Sequence, residues 1–212
     1  MQALSAGRSL FVTFEGGEGS GKTTQCELLA LRLKAGGWSV LQLREPGGTP
    51  LGEEMRRLLL HPDTVGALSV EAELLLFLAA RAELVQGVIR PALADGAAVI
   101  CDRFADSTLA YQGYGRGLDL ALIRGLNDFA TGGLAPDLTV LLDVAVKEGR
   151  ARTRGDDDAF LREDDAFHDR VRRGYLELAK REPGRWLVLD ATGLPHELAQ
   201  AIASRVEALQ RR

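Results

Sequence analysis

The sequence predicts an α/β fold, a five-stranded and mainly parallel sheet covered on both faces by helices. Three observations carry this. Short apolar runs of strand length alternate with longer helical runs along the whole chain. The short runs are apolar enough to be buried on both faces, as parallel strands are. The first of them leads directly into Gly16-Gly17-Glu18-Gly19-Ser20-Gly21-Lys22-Thr23-Thr24 and then into a helix.

Taken in order, Ser9 to Glu15 is short, apolar and β-branched, and reads as a buried strand. Residues 16 to 23 match G-x-x-x-x-G-K-[ST], a phosphate-binding loop whose glycines turn successive N–H groups inward while the next helix aims its positive end at the same point. Lys22 is placed to reach β- and γ-phosphates and Thr23 to ligate Mg²⁺. Arginine far outnumbers lysine in this chain, yet a lysine stands where a compact point charge is wanted. Leu28, Leu29, Leu31 and Leu33 form the apolar side of a helix that stops at Gly36-Gly37, and Trp38 to Leu43 reads as a second strand. Arg44 to Pro50 is a turn-rich loop, followed by a short helix with Glu53, Glu54, Arg56 and Arg57 that runs to about Leu60.

Ser69 caps a long helix in which Val70, Leu74, Phe77, Arg81, Leu84 and Val88 follow at spacings of three and four. Arg81 interrupts the apolar line, either as a side chain snorkelling to water or as a ligand group. Because this helix is apolar all round, it implies a partner surface beyond the domain's own sheet. Ala97 to Cys101 is a buried strand ending in Asp102-Arg103, where a parallel sheet presents residues to a ligand crevice, so Asp102 is the second Mg²⁺-facing candidate. Ser107 to Gly117 is rich in aromatic and amide side chains and reads as a binding segment or a surface loop.

Asp119 opens a helix to about Thr131, and Leu138 to Asp143 is the fourth strand. Arg150, Arg152 and Arg154 precede Gly155-Asp156-Asp157-Asp158, a mixed-charge run that on its own reads as a solvated face. From Glu163 a helix buries Phe167, Val171, Tyr175 and Leu178. Arg185 to Asp190 is the fifth strand, and a final helix aligns Leu198, Ile202, Val206 and Leu209.

At 212 residues and 46% apolar content the chain is expected to form one domain with a substantial core. A net charge of −4 and a pI near 5.5 argue against general nucleic-acid or anionic-membrane binding, which needs a basic face. Cys26 and Cys101 read as reduced thiols of a cytoplasmic protein. No Cys/His spacing suggests zinc, no apolar run approaches the length of a membrane span, and nothing at the start reads as a signal peptide.

Together the segments GGEGSGKTT at 16–24, REPGGT at 44–49, FLAAR at 77–81, DRFADSTLAYQGYGRG at 102–117, PDLTVLLD at 136–143 and YLELA at 175–179 resemble the thymidylate kinase family along nearly the whole chain. The resemblance implies a nucleoside monophosphate kinase-like phosphate-loop NTPase fold with a mobile lid at about 150–163, spanning residues 1–212 as one kinase domain. It implies transfer of the γ-phosphoryl group of ATP to dTMP, with Mg²⁺. Position by position it implies Phe77 stacked on thymine, Arg81 on its O4, Thr108 and Gln112 at the base edge and Tyr111 beneath the deoxyribose. Arg56 and Arg103 fall on the dTMP phosphate and Glu18 faces the sugar 3′-hydroxyl. Some members place an arginine inside the phosphate-binding loop. Glu18-Gly19-Ser20 has none, so the chain resembles the kind that supplies arginine from the lid, with Arg150 and Arg154 expected to matter more than Arg152 because they share a helical face. Bacterial relatives carry Asp-Arg-x-Glu after the lid, whereas the ungapped equivalent here is Asp158-Ala159-Phe160-Leu161, with Arg162-Glu163 displaced. The family's homodimers imply a dimer through the helix at 70–86. The alternatives are a kinase for another nucleoside monophosphate and a nucleotide-dependent switch, and the missing Asn-Lys-x-Asp guanine-reading segment counts against the switch.

Overall fold

The structure is a computed structural model that describes residues 9–61, 66–153 and 159–211. Five parallel strands stand in the order β2-β3-β1-β4-β5. They are β1 (Leu10–Glu15), β2 (Val40–Arg44), β3 (Ala98–Asp102), β4 (Leu138–Asp143) and β5 (Trp186–Asp190). β1 is central, the chain first building β2 and β3 on one side of it and then crossing over to add β4 and β5 on the other, so the crevice at the carboxyl ends of the strands opens where the phosphate-binding loop begins.

The strand pattern sorts the two faces. Leu10, Val12 and Phe14 of β1 pack with Ile100, Val140 and Leu142 against α1 (Lys22–Ala35) and the C-terminal helix at Pro195–Gln210. On the opposite face Phe11 meets Val99, Cys101 and Phe104, and Leu141 joins a second cluster containing Ile123, Phe167, Val171, Tyr175 and Leu178. Glu15, the last residue of β1, is fully buried on the same side as Phe11, an unusual place for a carboxylate.

Helix starts follow the expected capping chemistry. In α2 (Pro50–Leu60) the Thr49 hydroxyl accepts from Gly52 N at 2.9 Å, and in α3 (Val70–Leu84) the Ser69 hydroxyl accepts from Ala72 N at 3.2 Å. The axis of α3 continues through a π-helical turn, Val85–Ile89, into α4 (Arg90–Ala94), so this helix runs further than the periodicity predicts. The 107–117 segment is not a surface loop. It is α5 (Ala105–Thr108) followed by π-helical Leu109–Gly115, and it is almost wholly buried against the helix at Asp165–Arg181. α6 (Leu120–Thr131) starts on the Asp119 cap and packs on α3. Arg150 and Arg152 lie on a helix that the sequence reading did not delimit, α7 (Val146–Arg152). Then come α8 (Asp165–Arg181), whose Asp164 cap accepts from Phe167 N at 2.7 Å, and α9 (Pro195–Gln210).

Candidate active site

A cavity of about 1060 Å³ lies over the carboxyl ends of β1, β2 and β3. α1 enters it from Gly21 with no side-chain cap, so its first N–H groups and the positive end of its dipole face the crevice. Lys22 is 8% exposed, and its Nζ donates to Gly16 O (3.2 Å), Gly17 O (2.9 Å) and Ser20 Oγ (3.4 Å), which folds the loop around the ammonium group. Burial and the neighbouring Arg103 charge lower its pKa, against the raising effect of Glu18, Asp102 and Glu15. At the far side of the loop, a Cβ on Gly19 (φ 67°) would stand 2.1 Å from Gly149 O, and one on Gly149 2.3 Å from Glu18 O. The base of α7 therefore rests on the phosphate-binding loop backbone to backbone.

The Thr23 hydroxyl donates to Asp102 Oδ2 at 2.9 Å across the strand ends. A hydroxyl and one carboxylate form an oxygen donor set that suits Mg²⁺ shared with phosphate oxygens.

Arg103 has φ 69°, the one non-glycine residue with positive φ among the described residues. Its N–H donates to Phe14 O at 2.9 Å, and its guanidinium reaches Gly16 O (3.1 Å), Tyr175 Oη (3.2 Å) and the Glu18 carboxylate. Tyr175 and Ser107 are in turn tied to Glu15 Oε2 at 3.0 and 2.5 Å, while Phe104 N donates to Oε1 at 2.9 Å. Burial, with the Asp106 carboxylate adding to it, pushes Glu15 up to about 7 against the opposing Ser107, Arg103 and Phe104 interactions. Glu18 goes the other way. Burial alone would raise it, but Arg103, Lys22 and a 2.8 Å bond from Tyr111 Oη bring it down to about 2.

The wall opposite the loop is aromatic and amide-rich. Phe77, Arg81, Thr108, Tyr111 and Gln112 line it, joined by Phe160 from the lid segment, whose ring lies 5.9 Å from Phe77 and 5.5 Å edge-on to Tyr111. Arg81 is 1% exposed, which overturns the snorkelling alternative. All five of its N–H groups have acceptors: Glu45 Oε2 twice (2.8 and 2.6 Å), Thr108 Oγ1 (2.9 Å), Asn127 Oδ1 (2.7 Å) and Phe104 O (3.1 Å).

Of the residues singled out in the sequence, Glu18, Gly19, Ser20, Gly21, Lys22, Thr23, Thr24, Arg56, Phe77, Arg81, Asp102, Arg103, Thr108, Tyr111 and Gln112 all line this one cavity. Gly16 and Gly17 supply carbonyls to Lys22 behind it. The lid arginines of the expectation are placed unevenly. Arg150 does not line this cavity: it donates to Glu163 O (3.0 Å), Leu161 O (3.1 Å) and Asp165 Oδ1 (2.8 Å), holding the two limbs of the lid segment together. Arg152 does line it, donating to Gly19 O (3.5 Å) and Ala191 O (3.1 Å). Arg154 lies outside the described residues. Sequence reasoning missed Glu15, Glu45, Glu73, Asn127, Phe160 and Tyr175. Their partners are distant in sequence, and only the charged groups inside otherwise apolar runs hinted at them.

An uncapped helix end, a loop lysine, a hydroxyl–carboxylate pair and two arginines facing an aromatic wall, all on a five-stranded parallel sheet, define the class of nucleoside monophosphate kinases with a phosphate-binding loop. A sequence model described as Thymidylate kinase matches residues 14–202. The chain belongs to the thymidylate kinase family. It is 55% identical over 207 residues to a thymidylate kinase of Thermomicrobium roseum, covering 96% of this chain and 97% of that protein. It is 57% identical over 198 residues to one of a Synechococcus species, covering 93% and 95%. Among solved structures it resembles a crystal structure of thymidylate kinase from Ehrlichia chaffeensis, with a TM-score of 0.77 and 39% identity over 94% of this chain and 99% of that one.

Proposed function

We propose that this chain transfers the γ-phosphoryl group of ATP to dTMP, forming dTDP, within the cavity described above. The observation that carries the reading is that the phosphate-binding loop and the aromatic, amide-rich wall share that cavity, with Arg103 and Arg56 lining it too. The acceptor is a phosphate whose second pKa is about 6, so near neutral pH it is already mostly deprotonated and needs no general base. Catalysis is then positioning and neutralisation of charge.

Lys22 exchanges its loop carbonyls for β- and γ-phosphate oxygens, and Arg103 and Arg56 hold the dTMP phosphate. Thr23 and Asp102 are the residues that hold Mg²⁺, which when bound shields charge on the phosphates. Phe77 stacks on the base, Tyr111 lies beneath the deoxyribose, Thr108 and Gln112 stand at the base edge, and Glu18 faces the 3′-hydroxyl. Arg81 meets thymine O4 by releasing the Thr108 hydroxyl, which is the one neutral acceptor of Arg81 that also lines the cavity. Of Arg150 and Arg152, Arg152 is the one that lines the cavity and is proposed to act on the transferring group, and lid closure over 150–163 excludes water that could take the phosphoryl group instead.

The working unit is proposed to be a homodimer through α3. Leu75 on α3 and Leu122 and Phe129 on α6 are 58%, 55% and 87% exposed on two helices that pack together. Among the described residues no helix is long and apolar enough to cross a membrane, and Cys26 and Cys101 are free, buried thiols. Both fit a cytoplasmic location.

A coupled assay of ADP release across dTMP, dUMP, dCMP, dGMP and AMP tests the reading. Turnover should be fastest with dTMP. Equal or faster turnover with AMP or dGMP would assign the chain to another acceptor.

A further inference from the structure

We propose that Glu73 is a positioning residue for base choice, because it decides which end of the Gln112 amide faces the substrate. The two ends of a glutamine amide have nearly the same shape and opposite hydrogen-bonding character, so an unrestrained Gln112 could turn either a donor or an acceptor to a base. Glu73 sits on α3 inside the wall at 9% exposure, and its Oε1 receives Gln112 Nε2 at 2.8 Å. A carboxylate can only accept, so the end of Gln112 that faces it must be the NH₂ group. Arg116 keeps the carboxylate in this role by engaging both oxygens, Nε to Oε1 at 3.2 Å and Nη2 to Oε2 at 3.0 Å. Arg116 is itself held by Glu163 Oε1 at 2.5 Å and lies over the Phe167 ring at 4.8 Å.

Gln112 lines the cavity, and its carbonyl Oε1 has no protein donor among the described residues. With the amide nitrogen committed to Glu73, the carbonyl is the end left for a ligand. Thymine and uracil carry N3–H beside a carbonyl O4. Cytosine carries a bare N3 beside an amino group. An acceptor from Gln112 next to donors from Arg81 complements the first pattern and sets acceptor against acceptor for the second. Glu73 thus selects for the N3–H pyrimidines without touching the base, and its link to Glu163 joins base selection to the end of the lid segment.

This rests on the reading that Gln112 meets the base edge, and two variants separate the two claims. Glu73→Gln can accept as well as donate, so it frees Gln112 to turn over. The kcat/KM ratio of dTMP to dCMP should fall about tenfold, mainly through KM, while the ratio of dTMP to dUMP stays unchanged because both bases carry N3–H. Gln112→Leu should lower the dTMP to dCMP ratio as well. If Gln112→Leu leaves the ratio intact, the base-edge reading fails. If Gln112→Leu lowers it and Glu73→Gln does not, only the positioning claim fails. Equal losses for all three pyrimidines in Glu73→Gln, with a lowered melting temperature, would mean a purely structural role and overturn the proposal. Should that variant not fold, hydrogen exchange of the Gln112 side-chain amide in the unaltered protein decides. Slow exchange supports its capture by Glu73, and exchange as fast as that of an exposed glutamine refutes it.

Discussion

Glu15 shows how a single buried residue carries a cost that the site uses. Its carboxylate anchors Ser107 and Tyr175, and Tyr175 in turn accepts from Arg103, the residue held at positive φ above the loop. With burial and Asp106 raising it from 4.5 to about 7, the folded protein retains a proton that the unfolded chain has already lost. Its contribution to stability is therefore fully present below the unfolded value and is lost as pH rises through about 7. Glu15→Gln keeps an acceptor but cannot titrate, so its melting temperature should decline less between about pH 5 and pH 8 than that of the unaltered protein. Parallel profiles in a thermal melt series would show that Glu15 titrates at its ordinary value. Arg81 is the second case. Removing it leaves Glu45 buried at 5% exposure without its partner, so Arg81→Leu should cost about 3–5 kcal/mol of stability, read from denaturant unfolding, in addition to weakening dTMP binding.

At the scale of elements, α7 decides which lid arginine can act. Residues two apart on a helix point about 200° from each other, so Arg150 and Arg152 cannot serve the same target. Gly19 and Gly149 set the rotation by letting α7 sit directly on the loop, and this turns Arg152 toward the cavity and Arg150 toward Leu161, Glu163 and Asp165. Arg152→Ala should lower kcat by at least ~10-fold with little change in KM for either substrate, whereas Arg150→Ala should change kcat less. Steady-state kinetics of the two variants tests this, and the opposite order would restore the expectation drawn from spacing alone. Gly149→Ala, whose Cβ must displace Glu18 O, should lift α7 from the loop and reduce kcat as Arg152→Ala does.

For the whole molecule, the exposed apolar face shared by α3 and α6 is the feature that the single chain does not satisfy. Sedimentation at micromolar concentration is expected to give a species of twice 22.9 kDa. Phe129→Asp with Leu75→Asp should shift it to the monomer, since two charges in an apolar interface cost more than the contacts can return. A 22.9 kDa species in the unaltered protein would remove the dimer from the proposed function.

Local patterns sufficed for much of this protein. Strand and helix order, the parallel sheet, the caps at Ser69 and Asp119 and the phosphate-binding loop depend on residues within one turn or one strand, so the sequence alone determined them. Family resemblance pointed to Phe77, Arg81, Thr108, Tyr111 and Gln112, and the fold gathers them in one cavity. The tertiary structure alone decided the electrostatic partners of those residues. Glu45 for Arg81, Glu73 for Gln112, and Glu15 and Tyr175 behind Arg103 come from elements far apart in the chain, and no periodicity encodes which buried charge another will meet. It also decided the facing of Arg150 and Arg152, and the burial of the 107–117 segment as a π-helical turn. The physical reason is the same in each case. A local hydrogen bond is set by neighbours in sequence, whereas the free energy of a buried polar group depends on everything packed around it.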